Sequence, residues 1–453
     1  MMDLILRGAT IVTARGVIEG DVGIEGERIA RIGDLGGLPS KRELDLRGLL
    51  LLPGAIDSHV HIGLEMFEAK SPDDYYFGSR AAAHGGVTAV MDFTEQIPGE
   101  SILDSFERKK EWGLRDAVVD FLLHINVTDF TTDYRCDIRR LIDMGVKSFK
   151  FFTAYRKRGL MARDDYLYDA MSVIRDTGGI AMVHCENGDI ADYLAEKFID
   201  EEKTTPIYHA RSRPDFVEAE AISRVLYIAE ATGCPVYIVH VSTKKGLEEV
   251  RRAKSRGVRV YAETCPHYLF LTEDKLEGEE GFQYIATPPL RKREDSLALW
   301  EGIKDGTIDT VATDHAAYST EQKLLGGKEF HRTPSGLPGT ETLLPLLYTY
   351  GMSAGEISLS KLAELISGNP ARIFGLRDKG RIEEGAHADL VAVDPHKEVL
   401  LERDSLHGGT DFCPYHGFKV KGLPVFTMRR GELILDKGQF VGVRGKGSYI
   451  YQS

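Results

Sequence analysis

The sequence predicts an α/β fold: a closed (β/α)8 TIM-like barrel with a small β-sandwich formed by both chain ends. Three observations carry this. Eight short apolar strands alternate with longer amphipathic stretches between residues 53 and 375. Polar residues gather at the C-terminal ends of those strands. Strand-like, glycine-punctuated segments without a convincing helix flank them, at 1–52 and 376–453. Strand–helix alternation implies a mostly parallel sheet. Eight repeats with polar strand ends imply closure into a barrel. An open doubly wound sheet is the alternative, but no GxGxxG opens the first helix.

In chain order, Leu4, Leu6, Ala9, Ile11 and Val12 form a strand pattern around the turn-like Arg7-Gly8. Segments 22–24 and 29–32 flank Glu25-Gly26-Glu27-Arg28 as a hairpin. Barrel strands follow at 55–61, 87–93, 120–127, 146–152, 180–184, 236–240, 258–263 and 310–314. Helices are expected at 71–84, 101–112, 134–144, 163–178, 216–231, 244–256 and 293–304, then at 340–351 and 359–366. The closing unit has a strand at 390–393 and a pair, 424–428 and 432–435, around Arg429-Arg430-Gly431. Chain ends tend to lie close together, so the two β units are expected to share one sandwich. Residues 441–453, with three glycines, read as a flexible or intersubunit tail. Loops 153–162 and 317–339 follow the fourth and eighth strands and belong over the barrel mouth.

Composition narrows the function. Of 453 residues, 42% are apolar and 28% charged, ordinary globular values. A net charge of -13 weighs against nucleic acid or an anionic membrane as partner. No apolar run is long enough for a membrane span. Cys136, Cys185, Cys234, Cys265 and Cys413 are scattered, with no CxxC pair. That is neither a disulfide framework nor a structural zinc pattern, and it fits a reducing cytoplasm.

The chemistry starts at GAIDSHVHIG, residues 54–63. His59 and His61 are two apart, so a strand projects both imidazoles from one face. His184, His240 and Asp314 end the fifth, sixth and eighth strands, and Lys150 lies in the fourth. In a barrel these ends meet at one mouth. Four imidazoles and a carboxylate buried unpaired would be costly, and divalent metal removes that cost. The set is too large for one tetrahedral ion with an open position and suits two. Lys150 conflicts with this as an ammonium, which would repel both ions. Either it snorkels or pairs with an acid, or it becomes an anionic carbamate. His124 is expected in the core or behind the ligands, and His267 and His315 as donors behind them.

These residues resemble the cyclic amidohydrolases, the branch of the amidohydrolase superfamily that includes dihydropyrimidinase, hydantoinase, allantoinase and dihydroorotase. The resemblance spans HVH at 59–61, FKFF at 149–152, MVHCENGD at 182–189, HARSRP at 209–214, IVHVST at 238–243, ETCPHYL at 263–269, TPPLR at 287–291, TDH at 313–315 and GNPARIFGL at 368–376. It implies hydrolysis of a dihydropyrimidine or hydantoin to an N-carbamoyl amino acid. It also implies two Zn2+ per subunit, bridged by N6-carboxylated Lys150 and a hydroxide. His59 and His61 would bind one ion, His184 and His240 the other. Asp314 would bind metal and handle the proton, and Tyr155 would hydrogen-bond the oxyanion. Thr287 and Ser335 would grip the imide edge of the ring; hydantoinases often have asparagine at the second of these positions. A homotetramer or homodimer is implied as well.

The departures define the alternatives. ETCPHYL and PSGLPGTE lean toward dihydroorotase and allantoinase. Dihydroorotase, however, is expected to carry an arginine where Gly63 stands, whereas AYRKRG at 154–159 and HARSRP favour dihydropyrimidinase. Allantoinase, converting allantoin to allantoate, is the nearest alternative, followed by a dihydroorotase-like enzyme. A deaminase or a metal-free, non-catalytic assembly protein on the same fold fits the filled ligand positions less well. Leu64, Met66, Phe67 and Tyr155 suggest a partly apolar wall for a ring substituent.

Overall fold

The computed structural model describes residues 1–13 and 16–453. Its central sheet has eight parallel strands neighbouring in chain order: Ala55–Val60, Val87–Phe93, Asp120–Asn126, Ser148–Phe152, Ile180–His184, Val236–Ile238, Val260–Thr264 and Thr310–Val311. Val60 bridges in parallel to His315, and His61 N donates to His315 O at 2.7 Å. The chain just past the eighth strand thus returns to the first.

Period-2 alternation decides which side chains enter the barrel. In the fourth strand, Phe149 and Phe151 pack outward into the main hydrophobic core. Ser148, Lys150 and Phe152 occupy the opposite face. In-register pairing sets Lys150 beside Asn126 and Met182, and Phe152 beside His184. The lower interior is apolar, filled by Ile56, Met91, Leu122, Met182 and Tyr237 with Phe374 packed against them. The Phe374 ring lies 4.9 Å from His124 and 5.1 Å from Tyr237. The barrel is therefore a packed core, and the metal-ligand type side chains collect above this floor.

Seven helices match the expected barrel positions. Ile102–Asp116 shows why they form: Ile102, Phe106, Lys109 and Gly113 recur every three or four residues on its buried face. The first helix begins at Tyr75 rather than 71, because Asp74 caps it by accepting from the backbone of Tyr76 and Phe77. The stretch expected as one helix at 340–351 is a short α turn, Leu343–Leu346, continued by a π segment, Leu347–Met352. Pro345 removes one backbone donor there. The 359–366 stretch splits likewise into Leu359–Ala363 and a π segment, Glu364–Gly368. Helices Gly188–Asp200, Ile207–Arg211 and Pro266–Phe270 were not expected.

The two chain ends share one nine-stranded mixed sheet. Met2–Thr13 pairs with Gly16–Glu25 and, in parallel, with Leu50–Pro53. Leu50–Pro53 pairs antiparallel with Leu390–Asp394, which leads on to Leu423–Arg429 and Glu432–Asp436. Leu4, Leu6, Ile11, Val22, Leu390 and Phe426 lie in its core.

The segment expected as a flexible or intersubunit tail instead lies against its own barrel. Phe121 N donates to Ser448 O, Ile450 N to Phe121 O and Gln452 N to Gly145 O. Tyr449 packs edge-on against Phe106 and Phe121. Ordinary strand-like hydrogen bonding and ring packing outweigh the glycine content. Beside this strap, under the third strand, Asp120 and Asp389 each accept from Lys379 Nζ at 2.7 Å, and Arg430 Nε lies 3.1 Å from Asp120. This buried charge cluster joins barrel and terminal sheet.

Candidate metal centre

The six residues picked out by strand position come together at the mouth. His59 Nε2 and His61 Nε2 are 3.3 Å apart, and Asp314 Oδ1 lies 3.2 and 3.1 Å from them. His184 Nδ1 is 3.0 Å from His240 Nε2. The His59 and His240 ring centres, 5.5 Å apart, link the two pairs. Lys150 Nζ lies 5.0 Å from the Phe93 ring centre, and Phe93 packs against both His59 and His61.

Orientation comes from carboxylates behind the rings. His59 Nδ1 is held by Glu263 Oε1 at 2.6 Å. Glu263 also accepts from Tyr237 Oη at 2.7 Å and from His240 N at 3.1 Å. His184 Nε2 is held by Glu186 at 2.9 Å, and Arg213 pairs with the same Glu186 oxygen at 2.8 Å. With Nδ1–H committed to Glu263, His59 turns an Nε2 lone pair toward His61 and Asp314. Lone pairs at such separations repel unless a proton or a cation lies among them. Imidazole nitrogen and carboxylate oxygen are the donor types zinc prefers, and a carboxylate behind a ligating histidine is the usual support. The donor set thus fits a divalent ion.

Electrostatics agree. Burial pushes the His61, His184 and His240 rings toward the neutral form that ligates metal. Burial also opposes the Asp314 charge, but His59, His61 and His240 outweigh it and hold the carboxyl well below the ordinary range. Desolvation pushes Lys150 down to about 8 against the pull of Asp314 and Glu263, and among the described residues its ammonium forms no salt bridge. His240 and Asp314 both have positive φ, 39° and 50°. Such backbone strain in non-glycine residues recurs where a site needs a particular side-chain direction.

A cavity of about 210 Å³ opens beside these groups. Tyr155, at φ 65°, sets its ring 4.9 Å from that of His184 and tilted by 41°, and burial raises its phenol so that it stays protonated. Thr287 Oγ1 and Ser335 Oγ are 2.7 Å apart on the facing wall. Leu64, Met66 and Tyr155 line the cavity, whereas Phe67 stands exposed outside it. Trp112 fills the space above Gly63: a Cβ there would come within 2.2 Å of the indole, and φ is 68°. Of the other histidines, His124 is buried between Ser148 and the Ser58 carbonyl. His315 pairs with Asp73 at 2.9 Å and receives Gly339 N. His267 keeps a buried Nε2 without a partner.

Glu263, Glu186 and Arg213 escaped the sequence reading as orienting groups. The signal for Glu263 was present, since it lies at the C-terminal end of an apolar strand, one residue before Thr264, as the histidines lie near the ends of theirs. Outside the mouth, His84, Glu341 and His407 also lie close together. The two rings stack face to face at 3.4 Å and 5°. Their in-plane lone pairs run side by side instead of converging, so this trio lacks the mouth's ligand geometry.

Comparison with known proteins agrees in family and fold. The model of the Amidohydrolase family matches residues 50–434. A D-hydantoinase of Ralstonia pickettii is 41% identical, over 99% of this chain and 98% of its own. A solved D-hydantoinase structure, 41% identical, superposes with a TM-score of 0.97, covering 100% of this chain and 99% of that one. A solved dihydropyrimidinase of Brevibacillus agri, 34% identical, also gives 0.97, over 99% and 98%.

Proposed function

This chain belongs to the amidohydrolase superfamily, closely related to its dihydropyrimidinase and hydantoinase enzymes, and from that membership we propose that it opens a dihydropyrimidine or hydantoin ring to an N-carbamoyl amino acid at a two-zinc centre. At the coarser level it is a cyclic-amide hydrolase of the dihydropyrimidinase/hydantoinase type. The observation that carries the finer reading is the convergence of His59 Nε2, His61 Nε2 and Asp314 Oδ1 within 3.1–3.3 Å, acceptors that a cation reconciles.

His59 and His61 would hold one ion, and His184 and His240 the other, with Asp314 on the first. Lys150 would bridge them as a carbamate. Its amine, desolvated and facing no carboxylate partner, is suited to add to carbon dioxide: the N–C bond forms, a proton leaves, and the product is an anion. When bound, the metal pair supplies Lewis acidity and lowers the pKa of a ligated water from about 15.7 to about 7.

The ring amide resists attack because its C–N bond has partial double-bond character. The Asp314 carboxylate takes the proton of the attacking water and delivers it to the leaving ring nitrogen. Tyr155, kept protonated by burial, donates to the oxyanion that forms as the carbonyl becomes tetrahedral. The Thr287 and Ser335 segment reads the alternating carbonyl and N–H groups of the ring edge. Trp112 over Gly63 leaves no room for a carboxylate-binding arginine at that position, which favours a ring without a charged carboxylate over dihydroorotate.

The test is steady-state turnover of zinc-loaded protein on dihydrouracil, hydantoin, 5-substituted hydantoins, allantoin and dihydroorotate, with metal content measured in parallel. The expected result is two zinc equivalents and N-carbamoyl products from the first three. Exclusive turnover of dihydroorotate or allantoin would overturn the ring assignment.

A further inference from the structure

We propose that Arg158 makes the mouth selective for rings whose substituent ends in an anionic group, a carboxylate on a flexible arm. This rests on the ring-hydrolase reading above and adds the class of substituent that suits the site.

Arg158 is the last of three basic residues that follow Tyr155 in the loop after the fourth strand. The first two are neutralised by helix Gly188–Asp200: Arg156 pairs with Asp189 at 2.7 Å and Lys157 with Glu196 at 2.5 Å. Arg158 lines the cavity instead, with its guanidinium carbon 5.3 Å from the centre of the Tyr155 ring. Its charge also reaches Tyr318, in the loop after the eighth strand, where burial raises the phenol and Arg158 opposes that rise. The fourth and eighth strands lie on opposite sides of an eight-stranded barrel. A cation rooted at one and felt at the other leans over the mouth. Tyr318 Oη itself donates to the carbonyl of Leu64, a cavity-lining residue, at 3.3 Å.

The acids that line the same cavity are already neutralised or belong to the ligand set. Glu65 takes Lys70 Nζ at 2.8 Å, and Glu95 takes Lys109 Nζ at 3.0 Å. Among the described residues Arg158 has no carboxylate partner; its one contact is the face of Tyr155. It is exposed, so it stays charged and a substituent leaving the ring toward solvent can reach it. A guanidinium presents a planar fork of donors that matches a carboxylate. Leu64, Met66, Phe152 and Leu160 line the cavity as well, and they suit the methylenes of an arm that carries the charge away from the ring. Dihydroorotate differs, because its carboxylate stands on the ring itself, where Trp112 over Gly63 leaves no room for a cation.

The experiment compares kcat/KM of the zinc-loaded full chain on two pairs matched in shape: 5-carboxymethyl against 5-carbamoylmethylhydantoin, and 5-(2-carboxyethyl) against 5-(2-carbamoylethyl)hydantoin. Hydantoin itself gives the reference rate. The wild type is expected to favour the acid of at least one pair by about three- to tenfold. Arg158→Gln is expected to bring that ratio to one or below, and Arg158→Lys, which keeps the charge without the fork, to leave part of the preference. Wild-type ratios of one or below in both pairs, or a preference that survives Arg158→Gln, would overturn the proposal while leaving ring hydrolysis standing. Failure to open any of these rings, hydantoin included, would overturn both. The wild-type ratios can overturn the proposal even if a variant folds poorly.

Discussion

The two ends of the barrel both bury charge, and they do so in opposite ways. At the base, Lys379 lies between Asp120 and Asp389, with Arg430 against Asp120. Each carboxylate there meets a cation from the same chain. At the mouth, His59, His61 and Asp314 turn acceptors toward one another, and the nearby Lys150 is forced toward neutrality. The base is electrically complete as the chain folds; the mouth is short of positive charge. Buried charge that is complete serves cohesion, whereas a deficit kept in place by surrounding structure is a binding site.

Four changes test that contrast, from the largest expected effect to the smallest. Asp314→Asn removes the proton carrier while preserving shape; kcat is expected to fall by about 100- to 10,000-fold with the circular dichroism spectrum unchanged. Near-normal turnover would show that the mouth does not need this carboxylate as a base. Lys379→Met, at the other end, leaves the buried Asp389 without its cation and Asp120 with Arg430. It should cost about 3–5 kcal/mol in urea unfolding and leave kcat of the folded fraction intact. Glu263→Gln weakens the support behind His59, so zinc should bind about 10- to 100-fold more weakly in a chelator competition, with little change in unfolding midpoint of the metal-free protein.

The smallest test uses a third buried lysine. Lys323, in the segment over the mouth, donates to the carbonyls of Gln283 and Ile285, and burial pushes it down to about 7. Lys379 moves the other way, because Asp389 and Asp120 outweigh its desolvation. Between about pH 7 and 10 the unfolded chain holds the Lys323 proton more firmly than the folded one, so its contribution to stability grows as pH rises. Replacing Lys323 with Met should remove a slope of about 1.4 kcal/mol per pH unit in that window. An unchanged slope would mean that the carbonyls keep the ammonium charged.

Much of the barrel was legible because its strands obey a local rule. In Ser148–Phe152 alternate residues face the core and the mouth, and that pattern is visible in five letters. The ligand positions were legible for the same reason, since each stands at or near the end of an apolar run. What stood behind them was not. His59 and Glu263 are 204 positions apart and meet only when the sheet curls. Arg213 reaches Glu186 from a loop next to a helix that the sequence reading missed. The tail at 441–453 was misread because glycine content speaks to the unfolded chain, while docking on Phe121 depends on a surface made elsewhere. The left-handed backbone of Tyr155 and Asp314 has no signature in residue types that usually avoid it.

The pairing of Leu50–Pro53 with Leu390–Asp394 has a consequence for synthesis. About 340 residues separate the two strands, and ribosomes add roughly 5–20 residues per second, so the earlier strand waits roughly 20–70 s for its neighbour. Through that interval an apolar edge stands open on the nascent chain. Chaperone supply and translation speed, more than the final stability of the protein, should therefore govern how much of it survives to maturity.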